Sequence, residues 1–231
     1  MQPPERGDSC PKQPLSARSG LLLASANPAG HRRDMRICFI GDSFVNGTGD
    51  DDCLGWAGRL CSQARRRGRD ITLYNLGVRR DTSADIAARW EQEARARLPP
   101  EHDGRLVFSF GINDCVHDVA GRPRVAEDQA VVHARSILTR ALAWRPTLMI
   151  GPPSTADAEL DLRVRRLSDR IGLLCHDLRV PFLSSWDHVA NSDAWRQEAL
   201  RGDGVHPNRE GYALLFSLVS SWPAWRDWVE E

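Results

Sequence analysis

The sequence predicts an α/β fold: a three-layer α/β/α sandwich whose middle layer is a five-stranded parallel sheet. Two observations predict it. From Met35 onward, short apolar runs alternate with amphipathic stretches of helical length, the order that wraps helices around a parallel sheet. The apolar runs are also continuous rather than alternating, as strands covered on both faces require. Length agrees: 231 residues at 41% hydrophobic content are enough for one sizeable core without disulfides.

Each element has its own signal. Ile37-Cys38-Phe39-Ile40 is an unbroken apolar run and predicts the first strand. Leu54 to Arg67 reads as a helix stopped by Gly68. Ile71 to Asn75 predicts the second strand. Thr82 to Leu98 predicts a helix with Asp81 or Thr82 as cap and Pro99-Pro100 as stop. Leu106 to Phe110 is the third strand and Val125 to Trp144 a long helix. Thr147 to Ile150 is the fourth strand, ended by Gly151-Pro152-Pro153. Ala158 to Leu178 places Leu160, Val164, Leu167, Ile171 and Leu174 on one helical face. Val180 to Leu183 is the fifth strand, and Ser184 to Gly204 reads as irregular. A last helix runs from about Pro207, which suits a first turn, to Val219. No internal repeat and no second domain is visible. Right-handed crossovers then give the sandwich, with an active site at the carboxyl ends of the strands.

Residues 1–34 differ from the rest: five prolines, small polar residues and no periodicity. They read as a disordered N-terminal tail. Because Met35 immediately precedes the first strand, it is also a plausible true start, leaving 35–231 as the domain. Leu21–Leu23 followed by Ala24-Ser25-Ala26 resembles a signal peptide, but the apolar run is shorter than a signal core of about 7–15 residues.

Composition excludes several classes of function. Thirty-one Lys+Arg balance 31 Asp+Glu, which argues against a general nucleic-acid binder. No run of about 18 apolar residues exists, so no integral membrane association is expected. Lys12 in the tail is the only lysine, so neither a Schiff-base lysine nor a Gly-Lys-Ser/Thr phosphate loop is expected. The cysteines 10, 38, 53, 61, 115 and 175 show no C-x-x-C spacing and read as reduced thiols, favouring a cytoplasmic protein without a metal site.

Four segments sit where a strand-end site would form. Gly41-Asp42-Ser43-Phe44 follows the first strand, Asn75 to Thr82 the second, and Gly111-Ile112-Asn113-Asp114 the third. Asp203-Gly204-Val205-His206-Pro207 precedes the last helix. A serine hydroxyl is a weak nucleophile and needs an adjacent base. Imidazole supplies one if its second nitrogen is held by an acceptor. Asp203, three residues before His206, can reach that nitrogen within one turn. The Asn113 amide and backbone N–H groups can hold an oxyanion. Together these groups describe acyl transfer. The other Gly-Asp-Ser triplet, at Gly7, has no strand before it.

The order Gly-Asp-Ser, Asn-x-x-x-x-x-Asp-Thr, Gly-x-Asn-Asp, Asp-x-x-His-Pro resembles the SGNH (GDSL-type) hydrolases over Met35 to about Val219. The resemblance implies a sheet in flavodoxin-like order, and hydrolysis of small-molecule carboxylic esters or thioesters without metal or organic cofactor. It makes Ser43 the nucleophile, His206 the general base and acid, and Asp203 its orienting partner. Asn113 and the Ser43 backbone N–H become oxyanion donors. Two departures stand out. Phe44 replaces the usual Leu. The second block normally carries a glycine whose N–H completes the oxyanion hole; here that position is Arg80, with Gly77 held in reserve. A side chain at Arg80 aimed at the pocket could bind an anionic group.

Substrate alternatives are a lipid or lysophospholipid-like ester and a carbohydrate O-acetyl ester. A catalytically silent ligand-binding module is the non-enzyme alternative, and the missing phosphate loop argues against a flavin binder. Trp186 and Trp195, before Asp203, are candidate pocket walls beside Phe44. Asp50-Asp51-Asp52 reads as a solvated loop. Trp222, Trp225 and Trp228 form an aromatic tail that packs on the domain or on another subunit.

Overall fold

A computed structural model describes residues 34–230. The tail, its signal-like segment and the question of Met35 as start lie outside the described residues. The first half of the chain runs β1 (Met35–Gly41), α1 (Ser43–Asn46), α2 (Gly55–Arg66), β2 (Ile71–Gly77), α3 (Ser83–Arg95), β3 (Asp103–Ser109) and α4 (Ile112–Cys115). It continues α5 (Glu127–Leu142), β4 (Thr147–Ile150), α6 (Ala158–Leu178), β5 (Phe182–Leu183), α7 (Trp186–Val189), α8 (Asp193–Arg201), α9 (Arg209–Ser221) and α10 (Pro223–Glu230). The five strands pair in parallel in the order β2-β1-β3-β4-β5. The expected three-layer sandwich is therefore present.

The sheet is central because its strands have no polar face. Ile37, Cys38, Phe39 and Ile40 of β1 and Leu106, Val107 and Phe108 of β3 are all buried. Helices cover both sides with apolar stripes, such as Leu160, Val164, Leu167, Ile171 and Leu174 of α6. Burying each of these side chains contributes roughly 1.5–3 kcal/mol. The helix starts follow the capping chemistry. Thr82 and Asp85 form a reciprocal capping box on α3, and Asp157 accepts the Glu159 and Leu160 N–H groups at α6.

Two stretches differ from expectation, and a third takes one of its two expected forms. The segment read as irregular holds α7 and α8; each is short, and α8 buries only Trp195 and Ala199 on its inner side, so no long apolar stripe marks it. α9 starts at Arg209 with Asn208 as its cap, not at Pro207. The aromatic tail is α10, folded back on the domain: Trp225 lies 6.0 Å from Phe39 and Arg105 sits over the Trp228 ring at 5.1 Å. No helix among the described residues is long and apolar enough to cross a membrane. The five described cysteines are free, and burial pushes the thiols of Cys38, Cys61, Cys115 and Cys175 up to about 12.

Candidate active site

β1 delivers Ser43 to the carboxyl edge of the sheet. The chain turns into α1 at Gly41, where a Cβ would stand 1.9 Å from the Ser109 carbonyl oxygen of the neighbouring strand. Only glycine fits so close an approach. Asp42 caps α1 by accepting the Phe44 N–H at 3.0 Å. The Ser43 N–H, at the start of that turn, bonds to no other protein group among the described residues.

The segment before α9 brings the second group. Asp203 Oδ1 accepts the backbone N–H of Val205 at 3.0 Å and of His206 at 2.9 Å, folding the intervening turn onto itself. The other oxygen, Oδ2, lies 2.7 Å from His206 Nδ1, and His206 Nε2 lies 2.6 Å from Ser43 Oγ. With the ring proton on Nδ1, imidazole donates to the carboxylate and accepts from the serine hydroxyl. Burial alone would raise the Asp203 carboxyl, but the His206 N–H, the His206 ring and the Val205 N–H outweigh it and hold the group at about 2. The three residues sit 163 positions apart at the extremes and meet in one hydrogen-bonded row.

The third and second blocks meet each other. Asn113 Nδ2 donates to the Asp81 carbonyl at 3.0 Å, which engages one of its two amide protons. Asp114, buried on α4, accepts the Ser83 N–H at 3.0 Å and the Ser83 hydroxyl. Burial raises its carboxyl, opposed by those Ser83 donors. These bonds clamp the turn Arg79–Thr82 beside Asn113. In that turn Arg80 takes a left-handed φ of +70°, the conformation its glycine counterpart would adopt without strain. The Arg80 N–H has no protein partner among the described residues, and its carbonyl accepts from Arg124 at 2.8 Å. Gly77, the reserve donor, is corrected: its N–H donates to Asn75 Oδ1 at 3.0 Å. Its glycine identity serves packing, since a Cβ would stand 2.2 Å from the Asn46 nitrogen.

Two hollows flank His206. One, of about 320 Å³, is lined by Ser43, Phe44, Arg80, Asn113, Leu160 and His206, with Arg79, Ile112, Val116, Asp203 and Val205 completing it. The other, of about 420 Å³, is lined by Thr48, Gly49, Arg79, Glu198, Arg201 and Asn208 around Asp203 and His206.

The two tryptophans proposed as pocket walls are corrected. Trp195 is fully buried, donates its indole N–H to the Ser154 carbonyl at 3.0 Å, and stacks behind Phe44 with ring centroids 6.1 Å apart. It supports Phe44, which in turn leans on the His206 ring at 5.0 Å. Trp186 lines a separate cavity with Ser154, Asp161 and Arg196, away from Ser43. Asp50 is also not a solvated loop residue. It is buried, accepts the Gly55 N–H at 2.8 Å and pairs with Arg59.

Sequence reasoning missed Arg89. Its guanidinium donates to the carbonyls of Gly41 and Leu76, both at 3.0 Å, and to Asp81 at 2.6 Å. It ties the ends of β1 and β2 to the Arg80 turn. One half-buried arginine on a helix carries no sequence signal for this. Asp114 had a signal, its place in the Gly-x-Asn-Asp block, but not one that named Ser83 as its partner.

Comparison with known proteins places the chain in a family. Residues 39–214 match the GDSL-like lipase/acylhydrolase family. A GDSL lipase of Mycobacterium tuberculosis is 28% identical over 205 residues, covering 80% of this chain and 79% of that protein. A lipolytic protein of the G-D-S-L family from Veillonella parvula has the same fold at a TM-score of 0.65 and 18% identity, over 80% of this chain and 96% of that one. An acetylxylan esterase from Geobacillus stearothermophilus matches at 0.64 and 17% identity, over 82% and 95%. With its α/β sandwich and a family match spanning β1 to α9, the chain belongs to the GDSL-like lipase/acylhydrolase family, and it is an ester hydrolase of that general kind.

Proposed function

We propose that Ser43, His206 and Asp203 hydrolyse carboxylic esters through an acyl-enzyme. The observation that carries this is the unbroken row Ser43 Oγ, His206 Nε2, His206 Nδ1, Asp203 Oδ2, with contacts of 2.6 and 2.7 Å. Ser43 Oγ attacks the ester carbonyl as its proton passes to His206 Nε2. The carbonyl oxygen takes the negative charge and is held by the Ser43 and Arg80 N–H groups and the free amide proton of Asn113. The tetrahedral intermediate collapses: the bond to the alkoxy oxygen breaks and His206 returns the proton to that oxygen. Water, deprotonated by His206, then attacks the acyl-serine and releases the acid with Ser43 regenerated. Asp203, ionised above about pH 2, stabilises imidazolium at both steps.

The apolar part of the smaller hollow, Phe44, Ile112, Val116, Leu160 and Val205, suits an acyl group of modest length. The test is a p-nitrophenyl ester series from acetyl to long acyl chains, run on wild type and Ser43→Ala together. Turnover should fall by several powers of ten in the variant and should favour short chains. Turnover that survives Ser43→Ala would defeat the reading. So would failure of a fluorophosphonate to label Ser43, which would leave a silent binding module on the same scaffold.

A further inference from the structure

We propose that the ester taken by this site carries a negative charge on its alcohol portion, bound by Arg79 and Arg201 in the larger hollow. The inference rests on the acyl-enzyme reading above. His206 returns its proton to the leaving oxygen, so the alcohol lies on the His206 side of Ser43. The larger hollow begins there: it shares Asp203, His206 and Arg79 with the smaller one and adds Thr48, Glu198, Arg201 and Asn208.

The charges around that hollow are unbalanced. Arg79 and Arg201 are exposed, and neither guanidinium pairs with a carboxylate among the described residues. The two carboxylates that line it are already engaged. Asp203 holds His206 and two backbone N–H groups. Glu198 accepts the N–H groups of Asn208 at 2.9 Å, Glu210 at 3.1 Å and Gly211 at 2.7 Å, fixing the start of α9. Arg80 adds a third guanidinium at the smaller hollow. In a protein whose formal charges cancel overall, three guanidiniums around one histidine meet two lining carboxylates that are already bonded to other donors. A planar guanidinium pair in a concave, polar hollow is suited to carboxylate, phosphate or sulfate.

The experiment compares three esters: 4-acetoxybenzoate, charged on the alcohol side; methyl 4-acetoxybenzoate, its neutral counterpart; and phenyl hemisuccinate, charged on the acyl side. The readout is the ratio of kcat/KM for charged over neutral ester, in which the intrinsic reactivity of each ester cancels between enzyme forms. The double variant R79Q/R201Q should lower the 4-acetoxybenzoate ratio by about tenfold, the loss expected for an exposed charge-assisted contact. Arg135→Gln, on the outer face of α5, should leave it in place. A ratio that the double variant does not move, with both esters hydrolysed, overturns the proposal and leaves the ester hydrolase standing. A drop confined to the hemisuccinate also overturns it, placing the charge on the acyl side. If wild type hydrolyses none of the three, the acyl-enzyme reading falls and this inference with it.

Discussion

Asp42 sits one residue before the serine and is buried with a carboxyl group. Burial pushes that carboxyl up to about 7; the Phe44 N–H pulls it down, and the nearby charges of Asp114 and Asp81 push it further up. The unfolded chain would release the same proton near pH 4. Between about pH 4 and 7 the folded state therefore holds a proton that the unfolded state has lost, and stability falls as pH rises through that window. Asp203 is the opposite case. Its carboxyl is depressed to about 2, so its contribution is complete above about pH 4 and disappears as pH falls toward 2. Asp42→Asn keeps an oxygen to accept the Phe44 N–H and removes the titration. The variant should lose the fall in stability between about pH 4 and 7, a difference of a few kcal/mol at the upper end. Urea midpoints at four pH values would show it; wild-type and variant curves that stay parallel would refute it. Residues of this kind are half legible in sequence. Asp203 and His206 stand out because one short motif contains both the imidazole and its local acceptor, and Ser43 because a glycine turn follows the first strand. The burial of Asp42 and the reach of Arg89 across 48 positions to Gly41 exist only once the chain has folded.

Among the elements, strands were the easiest to read, because a covered parallel strand needs an apolar run with little else to imitate it. The two helices between β5 and α9 escaped because each buries so little. The turn at Arg80 was legible only through the block that contains it: glycine is the residue that announces a positive φ, and with arginine there the left-handed backbone is seen only in the structure. What holds the turn is α4, through Asn113 on the Asp81 carbonyl and Asp114 on Ser83. Ser83 also contacts His133 Nδ1 at 2.9 Å, so α3, α4 and α5 meet at one buried serine. In this cluster serine lies between the acid and the imidazole, so the histidine is not oriented toward a nucleophile by a carboxylate. Its role is to fix α3 under the Arg80 turn. Asp114→Ala leaves the buried Ser83 N–H without an acceptor, which should cost about 1–3 kcal/mol. Because the turn leading into that helix carries the Arg80 N–H, kcat should fall as well, with KM for a small neutral ester changing less. Chemical denaturation and steady-state kinetics on one preparation would separate the effects. Lost stability with intact kcat would mean that the turn is held without α4.

At the scale of the molecule, the parallel order β2-β1-β3-β4-β5 divides labour between the two edges of the sheet. The carboxyl edge carries Ser43, the Arg80 turn and Asn113, and the His206 segment folds over it. The amino-terminal end is closed by packing together with polar contacts, among them the ion pair of Arg67 with Glu230. There α10 lays Trp225 against Phe39 and Trp228 beneath Arg105, near the start of β3. Arg69, just before β2, donates to the Trp228 carbonyl at 3.2 Å. The sequence marks these tryptophans as an aromatic tail packed on the domain or on another subunit, but not as a helix, because eight residues make too short a periodic stretch to reveal a face. Trp225 is fully buried, and truncating a buried tryptophan leaves a cavity that the surrounding helices close only in part. Trp225→Ala should therefore destabilise the fold by about 3–5 kcal/mol. Phe39 lies two residues before Gly41, but Gly41 is held from the other side by Arg89 and by its close approach to Ser109. The catalytic edge should keep its geometry. Well below the lowered melting temperature, kcat and KM for a p-nitrophenyl ester should stay within about twofold of wild type, as for sites that share no contacts. A calorimetric melt beside kinetics at low temperature measures both. A large loss of kcat in a folded Trp225→Ala enzyme would show that packing at the closed end sets the position of Ser43, and that the two edges do not act independently.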